Sequence, residues 1–333
     1  MTNVVWSRCR DEDCIRIEGL PAAADLRVRP RTDDLCGELP AMAGTLVRDG
    51  VDACFIPRFP FVEDITYTIA VDGLALATLH RHRPDRPTTT EVLDVHPTAI
   101  ELPRNMLRFY VTFSAPMSEG YAGDHVRLVD EDGLVISAAF LPSDAELWDR
   151  TRRRLTLLLD PARIKRGLVP HRQAGYPLQK GTSFRLVVDG GFRDASGTPL
   201  RAGSERWYRV GEDQRRHVDP ADWVLCVPPG RTLEPLEVRF DRSLDHGLLG
   251  RCLRVLGPDG RRVVGSPEIG SEERSWRLAP RAPWAPGPHQ LVVDPVLEDL
   301  AGNSVSRLFD RDLTEPGEQP RRDQPVKVAF LTQ

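Results

Sequence analysis

Leu107-Arg-Phe-Tyr-Val-Thr-Phe113-Ser-Ala-Pro116-Met-Ser118, followed by Val126-Arg-Leu-Val-Asp-Glu-Asp132-Gly133, sets an apolar run, a proline, a second apolar run and a turn dipeptide in succession. Aromatic and β-branched residues favour strands, and Asp-Gly tolerates the positive φ of a hairpin, so the stretch predicts strand, bend, strand and tight turn. The plan returns in Leu236-Glu-Val-Arg-Phe240-Asp-Arg-Ser-Leu-Asp245 and Leu253-Arg-Val-Leu-Gly-Pro-Asp259-Gly260. Phe113 to Asp132 and Phe240 to Asp259 are both 19 residues apart. Downstream, Phe184-Arg-Leu-Val-Val-Asp189 and Gln290-Leu-Val-Val-Asp294 are each followed five residues later by a turn, Asp194-Ala-Ser-Gly197 and Asp299-Leu-Ala-Gly302. Matched spacing over such a distance predicts a domain duplication.

The rest of the chain must accommodate that duplication. Its 333 residues suit two or three domains of about 100 residues each. With 40% apolar and 28% charged residues it can bury a core. A net charge of -4, from 45 basic and 49 acidic residues, gives no electrostatic reason to expect nucleic acid as a partner. The 29 prolines are spread evenly and argue for short strands and turns, since proline breaks a helix interior. No stretch approaches the roughly 20 apolar residues that span a bilayer. The first residues, Met1-Thr-Asn-Val-Val-Trp, lack a basic region followed by an apolar one. The expectation as written is therefore a cytoplasmic chain, or an envelope or extracellular one if a leader was removed.

Short strands separated by turns, with no long helix, favour antiparallel β-sandwiches. Residues 1–85 form a diverged β domain, in which Cys14-Ile-Arg-Ile alternates as a half-buried strand does. Polar, proline-containing linkers at 81–90 and 211–220 bracket units at 91–212 and 219–315. In the tail, 316–333, Val326-Lys-Val-Ala-Phe-Leu331 offers one more edge strand. Four of the six cysteines, at 9, 14, 36 and 54, fit buried thiols, two disulfides or a four-thiolate zinc site.

Phe-Ser-Ala-Pro-Met at 113–117, Asp132-Gly133 and Asp-Leu-Ala-Gly-Asn at 299–303 resemble the bacterial immunoglobulin-like domains of S-layer and other envelope proteins. The resemblance covers the second and third units. It implies an all-β fold of tandem immunoglobulin-like antiparallel β-sandwich domains, and a binding or scaffolding role with no assigned activity. Asp299 and Asn303 are expected to bond backbone amides in a turn, with calcium ligation as the sharper alternative.

A site is best sought where the duplicates differ. Gly133 to Asp189 spans 56 residues and Gly260 to Asp294 only 34, so the second unit carries longer loops. Within them Arg163, Lys165, Arg166 and His171 can cradle a carboxylate or phosphate, while Trp148 and Tyr176 supply flat apolar contact. The competing reading makes these charges internal ion pairs. For catalysis the candidates are Lys165, His171 and His246, the last beside Asp245, although neighbours on a strand point to opposite faces. Phosphate loops, dinucleotide fingerprints and paired C-x-x-C motifs are absent from the sequence. No cofactor and no metal is expected, His80 and His82 included. The leading reading is a non-catalytic protein that meets a protein or an anionic small molecule through these loops or an interdomain groove. The alternative is a cofactor-free enzyme with an interdomain pocket.

Overall fold

In the computed structural model, which describes residues 3–9, 12–31, 39–82, 87–142, 145–310 and 324–333, the paired runs quoted above are strands. They are Arg108–Phe113, Val126–Asp130, Leu236–Arg239 and Leu253–Leu256. Gly133 and Gly260 turn the chain at φ of 83° and 74°, where a side chain would be strained. The chain is all-β, a series of mostly antiparallel sandwiches, and it divides into Met1–Arg86 and Pro87–Gln333.

In the first unit a sheet ordered Val4–Cys9, Glu12–Ile17, Asp52–Pro57, Gly44–Asp49 faces one ordered Leu26–Arg31, Ile65–Val71, Leu74–Arg81. Between them lie Ile15, Ile17, Val28, Phe55, Tyr67 and Ile69. Cys9, Cys14, Cys54, Cys226 and Cys252 are free thiols, and Cys36 lies outside the described residues. Burial, with Cys54 alongside, pushes the Cys14 thiol up to about 11, which leaves it an inert core side chain.

Pro87–Gln333 holds two sandwiches. In the first of these, Leu147–Trp148, Arg154–Leu158, Arg108–Phe113 and Val92–His96 make one sheet. The other runs Val126–Asp130, Ser183–Val188, Ser204–Gly211, Glu101–Pro103, closing on a parallel pair. Phe109, Phe113, Leu128, Phe184 and Leu186 fill the space between. The next sandwich sets Val224–Cys226, Leu236–Arg239, Ser275–Pro280 and Gly265–Ile269 against Leu253–Leu256, Gly287–Val293 and Val326–Thr332. Trp276, Trp284, Leu236, Val255 and Leu291 form its core. Val326–Thr332, at the end of the chain, pairs along the whole of Gly287–Val293.

Three isolated bridges occur at matching places in these two sandwiches: Met117 to Asp194 and Leu244 to Asp299, Val129 to Val135 and Leu256 to Arg262, Arg193 to Pro199 and Glu298 to Ser304. One position in this shared plan differs in consequence. After Asp194 comes Ala195, whose backbone donates to Pro116 of its own sandwich. After Asp299 comes Leu300, whose carbonyl accepts the Leu107 N–H at 2.8 Å and whose side chain, 6% exposed, lies in the neighbouring core. Phe309 packs against the same core. Leu300 thus plugs one sandwich into the other.

Removing that plug leaves a cavity that neither sheet can close alone. Leu300→Ala is expected to cost about 2–5 kcal/mol in urea unfolding of the full chain. A loss under about 1 kcal/mol would show that Leu300 is no plug.

Candidate functional site

The loops of the second sandwich hold their charged residues tightly. Arg163 follows Asp160, whose carboxylate caps the short helix Pro161–Ile164 by accepting from Ala162. Its guanidinium donates through all three nitrogens to the carbonyls of Ser137, Ala138, Ala174, Gly175 and Tyr176. His171, on the helix Val169–Ala174, has Nδ1 at 2.5 Å from the Arg163 carbonyl and sets its ring edge-on to Tyr176. Tyr176 is itself buried, and its hydroxyl accepts from Arg215 at 2.5 Å. Arg166 donates through its backbone N–H and Nε to the two oxygens of buried Asp310, at 3.0 and 2.9 Å. Lys165 Nζ sits 4.5 Å from the centre of the Phe309 ring. Trp148 donates to Glu146 at 2.6 Å and leans on Phe113 and Phe192. The structure therefore gathers Arg163, His171 and Tyr176 into one locked loop, with Lys165 and Arg166 on the nearby 309–310 segment. A guanidinium with every nitrogen engaged by carbonyls fixes loop shape and has little left to grip an anion.

His246 lies apart from that group. Asp245 and His246 are not on a strand: Asp245 caps the helix His246–Cys252, its carboxylate accepting the Leu248 N–H at 2.9 Å. The Tyr110 hydroxyl donates to both Asp245 oxygens at 2.9 Å, and Arg108 Nε lies 3.4 Å from Oδ2. Arg108 also donates to Glu298. Burial and the adjacent Asp245 push the Tyr110 hydroxyl up, so it remains a proton donor across the physiological range. Gly247 is required for this approach, since a Cβ there would lie 2.7 Å from the Tyr110 hydroxyl oxygen.

Immediately after Asp245, the His246 ring stacks on His96 with centres 3.4 Å apart and planes 19° from parallel. Both rings face Glu273, whose side chain is 1% exposed. His96 Nδ1 donates to Oε1 at 2.8 Å, and His246 Nδ1 stands 3.6 Å from the same atom, buried and without a hydrogen-bond partner. The Thr98 N–H donates to both oxygens at 2.9 and 2.8 Å, and its hydroxyl to Oε1 at 3.1 Å. Burial alone would push the Glu273 carboxyl up. The imidazoles of His246 and His96 and the Thr98 N–H outweigh it and hold the carboxyl at about 2. Glu272 and Glu273 adopt φ of 57° and 53°, a left-handed pair that turns the carboxylate inward. His96, His246 and Glu273 thus offer one ligand atom each within 4.8 Å of one another.

Two other ligand expectations meet definite geometry. The Asp299 carboxylate accepts from the N–H groups of Ala301 and Asn303, from Asn303 Nδ2 and from Arg242, so its oxygens are taken by nitrogen donors, as in a turn. His80 and His82 set their rings edge to face at 4.5 Å, with His80 Nε2 at 4.0 Å from Asp64. Sequence reasoning reached His246 through its neighbour Asp245 and missed His96 and Glu273. Those two are 177 residues apart, and no local pattern joins them.

The folded Glu273 carboxyl titrates below its ordinary value of 4.5, so its stabilising contribution is complete above that pH and disappears as pH falls towards about 2. Glu273→Gln is expected to lose about 3 kcal/mol at neutral pH, a gap that narrows between about pH 4.5 and 2 in urea unfolding. A gap that does not change with pH would contradict this electrostatic account. Tyr110→Phe, which strips a donor from buried Asp245, is expected to cost about 1–3 kcal/mol in the same measurement. Equal stability of the two proteins would refute that role for the hydroxyl.

No protein-family model matches the chain, and neither does any curated protein. Among solved structures it is similar to the N-terminal part of the bacterial S-layer protein SbsC, at 10% identity and a TM-score of 0.26, over 62% of this chain and 40% of that one. The chain thus spans less than half of that S-layer fragment. It is also similar to a three-immunoglobulin-domain stretch of titin, at 11% identity and a TM-score of 0.20, over 84% of this chain and 86% of that one. Three fibronectin-type domains of chicken CNTN1 match at 12% identity and a TM-score of 0.22, over 99% and 98% of the two chains. Likenesses of this degree assign no function, and the fold rests on the sheets and cores described above.

Proposed function

We propose that the chain is a non-catalytic binding or scaffolding protein, with a duplicated pair of immunoglobulin-like sandwiches in Pro87–Gln333 serving as one presenting body. The observation that carries this reading is the locking of the second sandwich's long loops. Arg163, Arg166 and His171 hold the loop backbone in one shape through carbonyls and a buried carboxylate, and contact residues are left outward on that frame. Val169 is 62% exposed, and Arg172 is exposed three residues later on the same short helix. A rigid loop presenting an apolar and a cationic side chain suits a protein surface with an acidic rim, because little conformational entropy is lost on docking. The chemistry of turnover is not assembled among these loop residues: Lys165 lies on an aromatic ring and His171 on a carbonyl, neither beside a nucleophile. Among the described residues, no helix is long and apolar enough to cross a membrane.

The test is a quantitative pull-down from extract of the source cells with the intact chain and with a Val169→Asp, Arg172→Glu double variant. Both positions are exposed, so the melting temperature should move by less than about 1 °C, in keeping with surface changes of about 0.5 kcal/mol or less. The variant is expected to retain less than about a tenth of the capture, two lost contacts being worth at least about 1.4 kcal/mol together. Capture at the wild-type level would remove these loops as the contact surface.

A further inference from the structure

We infer that His96, His246 and Glu273 form a binding site for a divalent transition ion of the zinc class, bracing the two sandwiches of Pro87–Gln333 against each other. The three come from separate places in the fold. His96 ends the strand Val92–His96 of one sandwich, while His246 opens the helix His246–Cys252 of the other. Glu273 precedes the strand Ser275–Pro280 of the same sandwich as His246. Their ligand atoms lie within 4.8 Å of one another, a spread that small ring rotations close to the separations of a tetrahedral site.

The donor set decides the class of ion. Calcium and magnesium ask for shells of oxygen ligands, whereas two imidazoles with one carboxylate match zinc and its neighbours. The environment supports the same reading. Glu273 is fully buried, and Thr98 donates to its oxygens from outside the ligand set, as the outer partners of metal carboxylates do. His246 Nδ1 is buried, faces the carboxylate from 3.6 Å and has no hydrogen bond, so it is a ligand atom awaiting a Lewis acid. The His96 Nδ1 proton, directed at Oε1 from 2.8 Å, occupies the place that an ion would take, and binding displaces it. The His96 and His246 side chains are 13% and 26% exposed, which leaves one side open for entry and for a fourth ligand from water. Such an ion would cross-link residues 96, 246 and 273 across the seam between the sandwiches.

The full chain, freed of metal by chelator and kept reduced, is titrated with zinc chloride against a chromophoric chelator, and with cobalt(II) in a parallel spectroscopic titration. One equivalent is expected to bind with visible cobalt bands and without thiolate charge-transfer absorbance, which separates this site from the free cysteines. At a hundredfold excess over its dissociation constant, zinc should raise the melting temperature by roughly 5 °C. His246→Asn and His96→Asn should each weaken that equivalent by more than about tenfold and remove the zinc-dependent shift, while His80→Asn leaves both intact. The shift with and without zinc is compared within each variant, so a variant that melts lower without metal still reports. Absence of one-equivalent binding in the wild type, binding with thiolate bands alone, or binding indifferent to His246→Asn would each overturn the inference.

Discussion

A buried carboxylate at the seam between two sandwiches constrains everything around it. Taking Glu273 out of water is costly by several kcal/mol unless its oxygens are met by donors in good geometry. Those donors are His96 and Thr98, both on the opposite sandwich from Glu273 itself. Neither half can swing away without leaving a charge unmatched. The Glu272 N–H closes the same contact by donating to the Thr98 hydroxyl at 2.9 Å. A wholly apolar seam of this size could slide, whereas one with directional donors on both sides keeps a single register.

Two turns at matching places in the sandwiches show how such a seam arises. Asp194 and Asp299 occupy the same position, and each carboxylate caps its own turn. Burial pulls the Asp194 carboxyl upward, but the hydroxyls of Ser196 and Thr90 and the Thr198 N–H prevail and hold it below the usual range. Asp299 is buried far more deeply, and burial pushes it up to about 6 in spite of Asn303 and Arg242. The difference follows from the next residue. Ala195 leaves its turn at home, whereas Leu300 carries its turn into the neighbouring core and draws Asp299 in behind it. Gly302 permits the approach at φ 78°, since a Cβ there would meet Leu107 at 2.7 Å. One side chain thus converts a solvated hairpin corner into a docking element.

How much of this the sequence disclosed depends on the range over which each interaction acts. The strand, bend and turn pattern around Phe113 and Phe240 was legible because apolar alternation and Asp-Gly chemistry are local. The charged loops were legible as a group and not in their pairing. Arg163 finds carbonyls up to 26 residues away, and Arg166 meets Asp310 across 144. His246 drew notice through Asp245, but a strand was assumed where the chain forms a capped helix. The leucine and the asparagine of the Asp299 turn read as an ordinary corner, because nothing in Asp-Leu-Ala-Gly-Asn states that the leucine will face another domain's core. His96 and Glu273 were invisible for the same reason. Their chemistry exists only once two sandwiches have docked.

The backbone at Glu272 and Glu273 carries a cost that this docking must offset. Two consecutive non-glycine residues in the left-handed region cost on the order of 1–3 kcal/mol each, and a glycine at either place would relieve that cost. Cohesion alone is available more cheaply from a larger version of the Leu300 plug, with no charge to desolvate and no strained turn. What the strained turn supplies instead is a fixed carboxylate facing two stacked imidazoles, with one imidazole nitrogen 3.6 Å from it and without a hydrogen bond. The strained turn thus lies where the polar groups of the two sandwiches converge, rather than at a featureless bend.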